Sequence, residues 1–364
     1  MKIMYLLFSF TVGGAEKLIV DTCNEMVGQG NEIYLYIVNK YYSEDLLSCV
    51  DQKVNIVLQN RKKENLIKTM FKIYQYIKKE KIDVVHCNSF NSPELLLLTK
   101  ILCKKIKIMY TVHGLGQYDS LNKFQIMYRN IICDKIIAIS ESVKKDIIHK
   151  GAHEDKIEVV YNAIDTSKFE RYVSEPKYKI DKDKIVLGNV ARIVPEQKGQ
   201  DILIRALAIL KRKYPEIKVF FAGGVDQEHK ENFEFLKKLT EKLELKNNVV
   251  FMGNVSNVPE FLEKIDIFIL PSRFEGFGIS LVEAMVMGIP CIASNLNGPA
   301  EIIGNNKYGF LFENENVEQL ADQIVYVIEN YEEIKETAEK NVKKIKNKFD
   351  IKSMCKVLLE IYGL

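Results

Sequence analysis

The 364-residue sequence contains no uninterrupted apolar run of the ~18 residues that a membrane-spanning helix needs. Its seven cysteines are scattered and never form a Cys-x-x-Cys pair. That pattern argues against a disulfide framework or a zinc site and predicts a reducing, cytoplasmic environment. The net charge is only +3, so the overall composition does not indicate a nucleic-acid partner.

Two common nucleotide-binding motifs are also missing. Neither the P-loop pattern G-x-x-x-x-G-K-[ST] nor a G-x-G-x-x-G after the first predicted strand occurs, so ATPase and ordinary dehydrogenase functions lose their best support. The turn after that strand is instead Gly13-Gly14-Ala15-Glu16. Two glycines allow a close backbone approach, and the N–H groups at a helix start favour an anion. Most such turns, however, are only turns.

What the sequence does contain is an alternation of short apolar runs and segments with helical spacing. Continuous apolar strands separated by helices are typical of a parallel sheet covered on both faces. The spacing predicts strands at residues 2–8, 33–38, 54–58, 83–87, 107–112, 135–140, 157–161, 185–190, 218–222, 249–252, 267–270 and 291–294. It predicts helices at residues 15–27, 64–79, 93–102, 141–149, 200–212, 231–243, 280–287 and 351–364.

A charged stretch at residues 170–184 interrupts this alternation, as expected for a solvated domain boundary. The length also favours about two domains of ~150 residues each. We therefore expect an α/β protein with two Rossmann-like, doubly wound domains, residues 1–170 and 171–349. Ligands of such folds bind at the carboxyl ends of the strands, so we expect the two domains to face each other across a cleft there.

The strongest local signal follows the predicted strand 267–270. It reads Pro-Ser-Arg-Phe-Glu-Gly-Phe-Gly-Ile-Ser-Leu-Val-Glu-Ala-Met over residues 271–285. Gly276 and Gly278 flank a turn whose amides can point at a phosphate. The helix predicted to begin near Ser280 adds its positive end to the same place.

Two carboxylates accompany this turn. Glu275 precedes the predicted helix, and Glu283 is expected in its first turn. Both can face one cleft and accept hydrogen bonds from vicinal hydroxyls, which mark a sugar or a ribose. An alternative remains open, because Ser280-x-x-Glu283 is also a formal capping box that would stabilise the helix by ~1 kcal/mol without any ligand.

Two cations lie in the same predicted domain. Arg192 follows strand 185–190, and Lys198 precedes the next helix. A guanidinium offers a planar fork and an ammonium a point charge, so the pair suits a diphosphate. For either cation alone, an ordinary solvated surface charge is the alternative.

Together these segments resemble family 4 of the retaining glycosyltransferases. The resemblance rests on the E-x7-E spacing of Glu275 and Glu283 and covers nearly the whole chain in order. The other segments that carry it are Gly13-Gly14-Ala15-Glu16, Arg192 with Lys198-Gly199, Tyr161-Asn162-Ala163-Ile164-Asp165 with Phe169, and Asn297-Gly298-Pro299-Ala300-Glu301. It implies the GT-B fold of two Rossmann-like domains, with residues 350–364 crossing back onto the first.

The resemblance also implies residue roles. Glu275 would hold hydroxyls of the transferred sugar and Glu283 the ribose, Arg192 and Lys198 would bind the diphosphate, and His113 would lie beside the donor sugar. The other substrate-binding residues that it implies are Gly14, Asn162, Gly253, Val255, Gly276, Phe277, Gly278, Ile279 and Ser280.

This sequence departs from the family pattern in two places. Five residues separate Arg192 from Lys198 where four are commoner, which leaves the partner of Lys198 open. Ala163 replaces a usual glycine and should matter little. Taken alone, His113 would be read as a structural histidine.

The resemblance implies a retaining transferase in bacterial surface polysaccharide biosynthesis, such as capsule synthesis. The donor would be a nucleotide sugar, by default a UDP-sugar, and the acceptor a glycan or a lipid-linked glycan. Retention would come from front-face attack by the acceptor hydroxyl, with Glu275 as a positioning residue. No cofactor or metal is expected, since the only D-x-D string, Asp181-Lys182-Asp183, reads as a solvated charge run.

A peripheral contact with an anionic membrane is a further expectation. Residues 1–150 hold 22 Lys and Arg against 15 Asp and Glu, and each basic residue near an anionic leaflet can contribute ~1 kcal/mol. The basic residues concerned are Arg61, Lys62, Lys63, Lys68, Lys72, Lys78, Lys79, Lys81, Lys100, Lys104, Lys105 and Lys107. The loop 114–124 offers Leu115, Tyr118, Leu121 and Phe124 to a lipid-linked acceptor. An ordinary solvated helix face is the alternative.

Two rival functions remain open at this stage. A nucleotide-sugar epimerase of the same fold would need no acceptor, and UDP release only with an acceptor present would distinguish a transferase from it. A catalytically silent partner subunit would bind nucleotide or glycan without turnover. The presence of both glutamates, both cations and His113 argues against that degeneration.

Overall fold

The computed structural model describes residues 1–61, 65–172, 184–225, 230–255, 257–304 and 306–363. The chain divides into two compact units, which we call unit 1 (Met1–Ile164 with Asp350–Leu364) and unit 2 (Asp165–Phe349). The division falls before the expected boundary at residue 170. The reason is that the 3-10 segment Thr166–Tyr172 packs against helices of unit 2.

Unit 1 is built on a seven-stranded sheet in which every neighbouring pair is parallel. Its strands are β1 (Lys2–Leu7), β2 (Glu32–Asn39), β3 (Asn55–Arg61), β4 (Val84–Cys87), β5 (Lys107–Val112), β6 (Lys135–Ala138) and β7 (Ile157–Val159). The order across the sheet is β3-β2-β1-β4-β5-β6-β7. From β1 the strands are therefore added first towards one edge of the sheet and, from β4 on, towards the other edge. Ligands of doubly wound sheets bind at such a reversal, here between β1 and β4.

The helices of unit 1 that connect these strands are α1 (Gly14–Gly28), α2 (Glu44–Ser48), α3 (Leu66–Glu80), α4 (Leu97–Leu102), α5 (Lys123–Ile132) and α6 (Glu141–His149). A 3-10 turn, Pro93–Leu96, precedes α4 where one longer helix was predicted. Two helices, α2 and α5, were not predicted. In α5 the apolar residues Phe124, Met127 and Ile131 are exposed, so its pattern does not mark a buried face.

Unit 2 contains a six-stranded parallel sheet in the order β10-β9-β8-β11-β12-β13. The strands are β8 (Val186–Val190), β9 (Lys218–Ala222), β10 (Val249–Gly253), β11 (Ile267–Leu270), β12 (Cys291–Ser294) and β13 (Phe310–Phe312). The reversal of order here lies between β8 and β11. The predicted parallel α/β architecture is confirmed in both units, because most of the buried strands are continuous or nearly continuous apolar runs.

The helices of unit 2 are α7 (Pro195–Lys198), α8 (Gln200–Leu210), α9 (Lys230–Lys242), α10 (Val258–Glu263), α11 (Ile279–Val286), α12 (Asn297–Ile303), α13 (Val317–Glu329) and α14 (Tyr331–Phe349). Of these, α8, α9 and α11 correspond to predicted helices. The 3-10 segment Thr166–Tyr172 contacts α10 and α11.

The last helix, α15 (Ile351–Ile361), belongs to unit 1. It begins after Asp350, whose side chain accepts a hydrogen bond from the Lys352 amide, and it packs on α1. Beyond its end, Tyr362 is fully buried in the core of unit 1. Among the residues that the structure describes, no helix has both the length and the apolarity needed to cross a bilayer.

Candidate active site

The glycine-rich segment of unit 2 connects the end of β11 to the start of α11. Gly278 is the residue that precedes α11, with φ of 109° and no side chain capping the helix. That left-handed conformation favours glycine. Ser280 is thus the second helical residue rather than the cap, so the capping-box alternative is wrong. Glu283 is the fifth helical residue, one position further along than expected and just past the first turn, and the first N–H groups of α11 receive no side-chain cap.

Arg273 anchors this segment to α7 and α8. Its Nη1 and Nη2 atoms donate to the two carboxylate oxygens of Asp201 at 2.7 and 2.9 Å, and its Nε donates to Glu315 at 2.6 Å. The Asp201 carboxylate, followed by Glu315, holds the pKa of Arg273 above its ordinary value. Backbone amides of Arg273 and Phe274 also donate to the Gln197 carbonyl oxygen. The segment after β11 is therefore fixed against the end of α7.

This anchoring brings Lys198 and Glu275 together. Lys198 Nζ donates to Glu275 Oε2 at 2.8 Å, and Ser272 Oγ donates to the same oxygen at 3.4 Å. The Lys198 and Glu275 side chains are only 20% and 15% exposed, so water screens the pair weakly. Sequence reasoning gave the two residues different roles and did not foresee their contact.

Gly199 shows how closely these two segments approach. It has φ of 63°, and a Cβ atom placed on it would lie 1.9 Å from the Pro271 carbonyl oxygen. Only glycine fits both requirements. Gly298, in α12, is similar, because a Cβ atom there would lie 2.6 Å from the Gly276 carbonyl oxygen. The glycines next to the segment therefore permit backbone contact from two sides.

Arg192 lies at the carboxyl end of β8. The Gln200 side chain donates to its backbone carbonyl at 2.8 Å, and the neighbouring Ala191 and Ile193 amides donate to the carbonyls of Ala222 and Gly224. The backbone that carries this exposed guanidinium is therefore held in place. Arg192 and Lys198 both follow β8 within a few residues, as predicted.

The remaining predicted residues of unit 2 fall into two groups. Gly253 ends β10 with φ of 67°, and its carbonyl oxygen accepts a hydrogen bond from the Gly223 amide at 2.8 Å. Val255 lies two residues after Gly253 and is half-buried.

Phe277 is buried, with its ring 5.7 Å from that of Phe349. Its side chain therefore belongs to the core, and only its backbone is available to a ligand. Gly276, Ile279 and Ser280 are half-buried around the start of α11.

In unit 1 the predicted residues His113 and Asn162 line one pocket. Its polar wall also includes His86, Asn88 and Thr111, and its apolar wall comes from α1, α15 and the residues Ile137, Ile139 and Val160. His113 Nε2 is hydrogen-bonded with Asn88 Oδ1 at 3.2 Å, while His113 Nδ1 is buried with no partner in the structure. Burial lowers the pKa of His113 to about 4, so its ring is neutral near pH 7.

His86, which also lines this pocket, is a buried residue of β4. Its Nδ1 is hydrogen-bonded with the Tyr362 hydroxyl at 2.7 Å and its Nε2 with the Thr111 hydroxyl at 2.6 Å. Burial lowers the pKa of His86 to about 3. Gly14 is exposed at the start of α1, which has no side-chain cap, and is not among the residues that line the pocket.

Two family profiles match most of the chain. The one described as Glycosyltransferase Family 4 matches residues 12–168, and the one described as Glycosyl transferases group 1 matches residues 171–347. An uncharacterised glycosyltransferase of Methanocaldococcus jannaschii is 30% identical over 293 residues, which cover 73% of this chain and 71% of the relative. The chain belongs to glycosyltransferase family 4.

Two other similar proteins extend the comparison. The capsular polysaccharide biosynthesis glycosyltransferase CapM of Staphylococcus aureus is 27% identical to this glycosyltransferase over 340 residues, 89% of this chain and 86% of CapM. The crystal structure of Anabaena HepE in complex with UDP superposes with a TM-score of 0.84 at 21% identity, covering 100% of both chains. This likeness and the two parallel α/β units confirm the predicted GT-B fold.

Sequence reasoning missed three residues that organise the candidate site of this glycosyltransferase. Asn88 directly follows β4, the same kind of strand-end position that drew attention to His113, so a signal was present. Arg273 lies inside the quoted motif, but its pairing with Asp201, 72 positions earlier, has no local signature.

The structure corrects the interpretation of loop 114–124. Tyr118 and Leu121 are buried, and the guanidinium of the buried Arg129 lies 5.6 Å from the centre of the Tyr118 ring. These two side chains are therefore unavailable to an acceptor. Leu115 and Phe124 are exposed, and Phe124 belongs to α5 rather than to a loop.

Several predicted features lie outside the described residues, namely the string Asp181-Lys182-Asp183 and the basic residues Lys62 and Lys63. Within the described ranges, no group of three or more His, Cys, Asp or Glu side chains is placed to hold a metal ion.

Proposed function

We propose that this glycosyltransferase moves a sugar from a UDP-sugar, with retention of configuration, to a hydroxyl of a glycan or lipid-linked acceptor in bacterial surface polysaccharide biosynthesis. The observation that carries the proposal is the shielded Lys198–Glu275 pair beside the uncapped start of α11. The capsular role in the name of CapM and the UDP bound to HepE support the choice of pathway and nucleotide.

The proposed chemistry is stabilisation of the leaving group. As the bond between the anomeric carbon and the diphosphate oxygen breaks, negative charge grows on the diphosphate, and fixed positive groups lower the energy of that transition state. Lys198, Arg192 and the N–H groups at the start of α11 are the candidates. Lys198 would then lie between the diphosphate and Glu275, whose carboxylate accepts hydrogen bonds from sugar hydroxyls.

Retention is proposed to follow from attack on the face that the diphosphate leaves. The acceptor oxygen forms the new bond to the anomeric carbon, and its proton passes to an oxygen of the departing phosphate. Glu275 then positions the sugar and forms no covalent bond. For His113 we propose a hydrogen bond to a hydroxyl of the donor sugar, and for Glu283 one to the ribose.

A thermal-unfolding screen with UDP-glucose, UDP-galactose, UDP-N-acetylglucosamine, GDP-mannose and ADP-glucose tests donor binding. A ligand at about 100 times its Kd stabilises the folded state by ~2.7 kcal/mol, so UDP and one UDP-sugar should raise Tm clearly. Lys198→Ala should lose that shift. Absence of any shift in the wild type, or an equal shift in Lys198→Ala, would contradict the proposal.

Turnover separates the rival functions. UDP should be released rapidly only when a glycan acceptor is added, and the product should keep the anomeric configuration of the donor, as read by proton NMR. Conversion of the nucleotide sugar without acceptor would indicate an epimerase. Binding without any turnover would indicate a non-catalytic subunit.

We also propose a peripheral contact with an anionic membrane through α3, α4 and α5. The 3-10 turn Pro93–Leu96 contacts all three helices, and they expose the apolar residues Leu66, Ile67, Phe71, Leu97, Ile101, Leu102, Phe124, Met127 and Ile131. Lys68 on α3 and Lys123 on α5 are exposed as well, whereas Lys100 on α4 is paired with Asp134. An apolar surface with interspersed lysines suits the interface of an anionic leaflet.

Vesicle flotation tests this contact. Vesicles containing phosphatidylglycerol should bind the wild type more than phosphatidylcholine vesicles do. A Phe124→Glu, Ile131→Glu double variant should lose binding. The matched control is Phe235→Glu, an exposed aromatic residue of unit 2, which should bind like the wild type. Equal binding of the wild type to vesicles with and without phosphatidylglycerol would contradict the proposal.

A further inference from the structure

We propose that Asn88 is a positioning residue that sets the tautomer of His113, leaving His113 Nδ1 as a bare acceptor for a hydroxyl of the bound donor. The inference rests on the proposed function for the identity of the ligand. The tautomer of His113 is a property of the ligand-free protein and does not depend on which ligand binds.

Two hydrogen bonds fix the orientation of the Asn88 amide. Asn88 Nδ2 donates to the backbone carbonyl oxygen of His86 at 3.2 Å. The opposite orientation would place two oxygens against each other. Asn88 Oδ1 is therefore the atom that faces His113, and it lies 3.2 Å from His113 Nε2.

A neutral imidazole carries one N–H donor and one bare acceptor nitrogen. An amide oxygen only accepts, so His113 Nε2 must be the donor. His113 Nδ1 is then the bare nitrogen, and it is buried without a partner. A buried acceptor without a donor destabilises the ligand-free site, and a ligand hydroxyl would supply that donor.

The surroundings keep the ring neutral. Burial lowers the pKa of His113, with no charged partner to oppose it. The titratable groups lining the pocket are His86 on β4, which is itself buried and neutral, and Tyr5 on β1. The walls from α1 and α15 contribute apolar side chains and Thr22, so no described charged residue lines the pocket.

The direct test is nitrogen-15 NMR of the ligand-free protein labelled at histidine. The His113 signals are assigned by their loss in His113→Asn. We expect Nδ1 to give the shift of an unprotonated nitrogen and Nε2 that of a protonated one. The reverse pattern would overturn the inference even if the enzyme is an active UDP-sugar transferase.

Two substitutions at Asn88 test the consequence for turnover. In Asn88→Asp the new carboxylate still accepts from Nε2, but it raises the pKa of His113, so Nδ1 becomes protonated as the pH falls. With the UDP-sugar selected by the thermal screen, the kcat/KM of this variant should fall by roughly threefold to tenfold between about pH 8 and pH 5.5. The wild type, whose His113 stays neutral over that range, should not show this fall.

Asn88→Leu serves as the matched variant of similar size. It removes both side-chain hydrogen bonds of Asn88, to His113 Nε2 and to the His86 carbonyl oxygen. Because only the first of these supports His113, kcat/KM should drop about 2- to 10-fold, by the same factor at every pH. A purely structural role for Asn88 would give both variants the same pH profile as the wild type. If kcat/KM depends on pH in the same way in Asn88→Asp and in the wild type, the proposal is refuted.

Failure of the inference and failure of the proposed function are distinguishable. If no nucleotide sugar binds or reacts, the proposed function fails, and the NMR assignment still decides the tautomer. If UDP-sugars react but the tautomer is reversed or the profiles superpose, only the inference fails.

Discussion

Replacing Gly199 with alanine should disable the candidate site without unfolding the protein. Two costs arise. Gly199 has φ of 63°, and placing a non-glycine residue in that left-handed region costs ~1 kcal/mol. In addition, the new Cβ would lie 1.9 Å from the Pro271 carbonyl oxygen. One of the two segments must therefore move by more than ~1 Å, because Cβ contacts shorter than 3.0 Å are essentially never seen.

That displacement falls on the segment that carries Glu275. Because Lys198 directly precedes Gly199, the 2.8 Å contact between Lys198 and Glu275 should be lost. A misplacement of about 1 Å at reacting groups costs roughly 10²-fold in rate. The affinity for UDP should weaken by roughly tenfold or more if Lys198 loses a charge-assisted contact of ~1.5 kcal/mol with the diphosphate.

The matched control is Gly304→Ala. Gly304 also has φ of 63°, but a Cβ there would meet the Tyr308 ring at 3.5 Å, an ordinary contact. This variant should lose ~1 kcal/mol of stability and keep UDP binding and turnover. The assays are urea denaturation, titration calorimetry with UDP, and UDP release from the selected UDP-sugar. Turnover of Gly199→Ala within about threefold of the control would refute the reasoning.

Three further predictions follow from the same geometry. Lys198→Ala and Glu275→Ala should each retain the far-ultraviolet circular dichroism of the wild type yet lose transfer by roughly 10²-fold or more; wild-type-like turnover in either would defeat the assignment. Burial lowers the pKa of His86 to about 3 and of His113 to about 4, whereas an unfolded histidine titrates near 6.5. The unfolded chain therefore binds protons that the folded chain does not as the pH falls through about 6.5. The stability that the two neutral histidines contribute is fully present above about pH 6.5. At lower pH the free energy of unfolding should decrease by up to ~1.4 kcal/mol per pH unit for each histidine. Urea denaturation between about pH 7 and pH 5 measures this slope, and His113→Asn should flatten it; equal slopes would contradict the prediction. Finally, transfer should persist in excess chelator, and its loss would point to a metal ion.

The fold was largely predictable because its signals are local. A strand buried on both faces must be apolar at nearly every position, and runs such as those at residues 107–112 and 267–270 therefore revealed β5 and β11 directly. Elements without such a signal were missed. The exposed apolar residues of α5 do not describe a buried face, and β13 spans only Phe310–Phe312.

The sequence named residues for the candidate site but not their contacts. The glycine turn and Glu275 follow β11, Lys198 ends α7, and His113 follows β5. The role of His113 came from the family resemblance alone, and the roles of all these residues stay predictions. The capping box at Ser280 was a false local signal, because Gly278 already starts the helix in a left-handed conformation.

The sequence by itself determined the two parallel sheets, since periodic burial is written residue by residue along the chain. Tertiary structure alone decided that Arg273 forms a salt bridge with Asp201, that Lys198 forms one with Glu275 and that Asn88 is hydrogen-bonded with His113. Each of those pairs joins positions that are 25 or more residues apart. Their contacts depend on which strands become neighbours and where each strand ends, and no local pattern encodes that geometry.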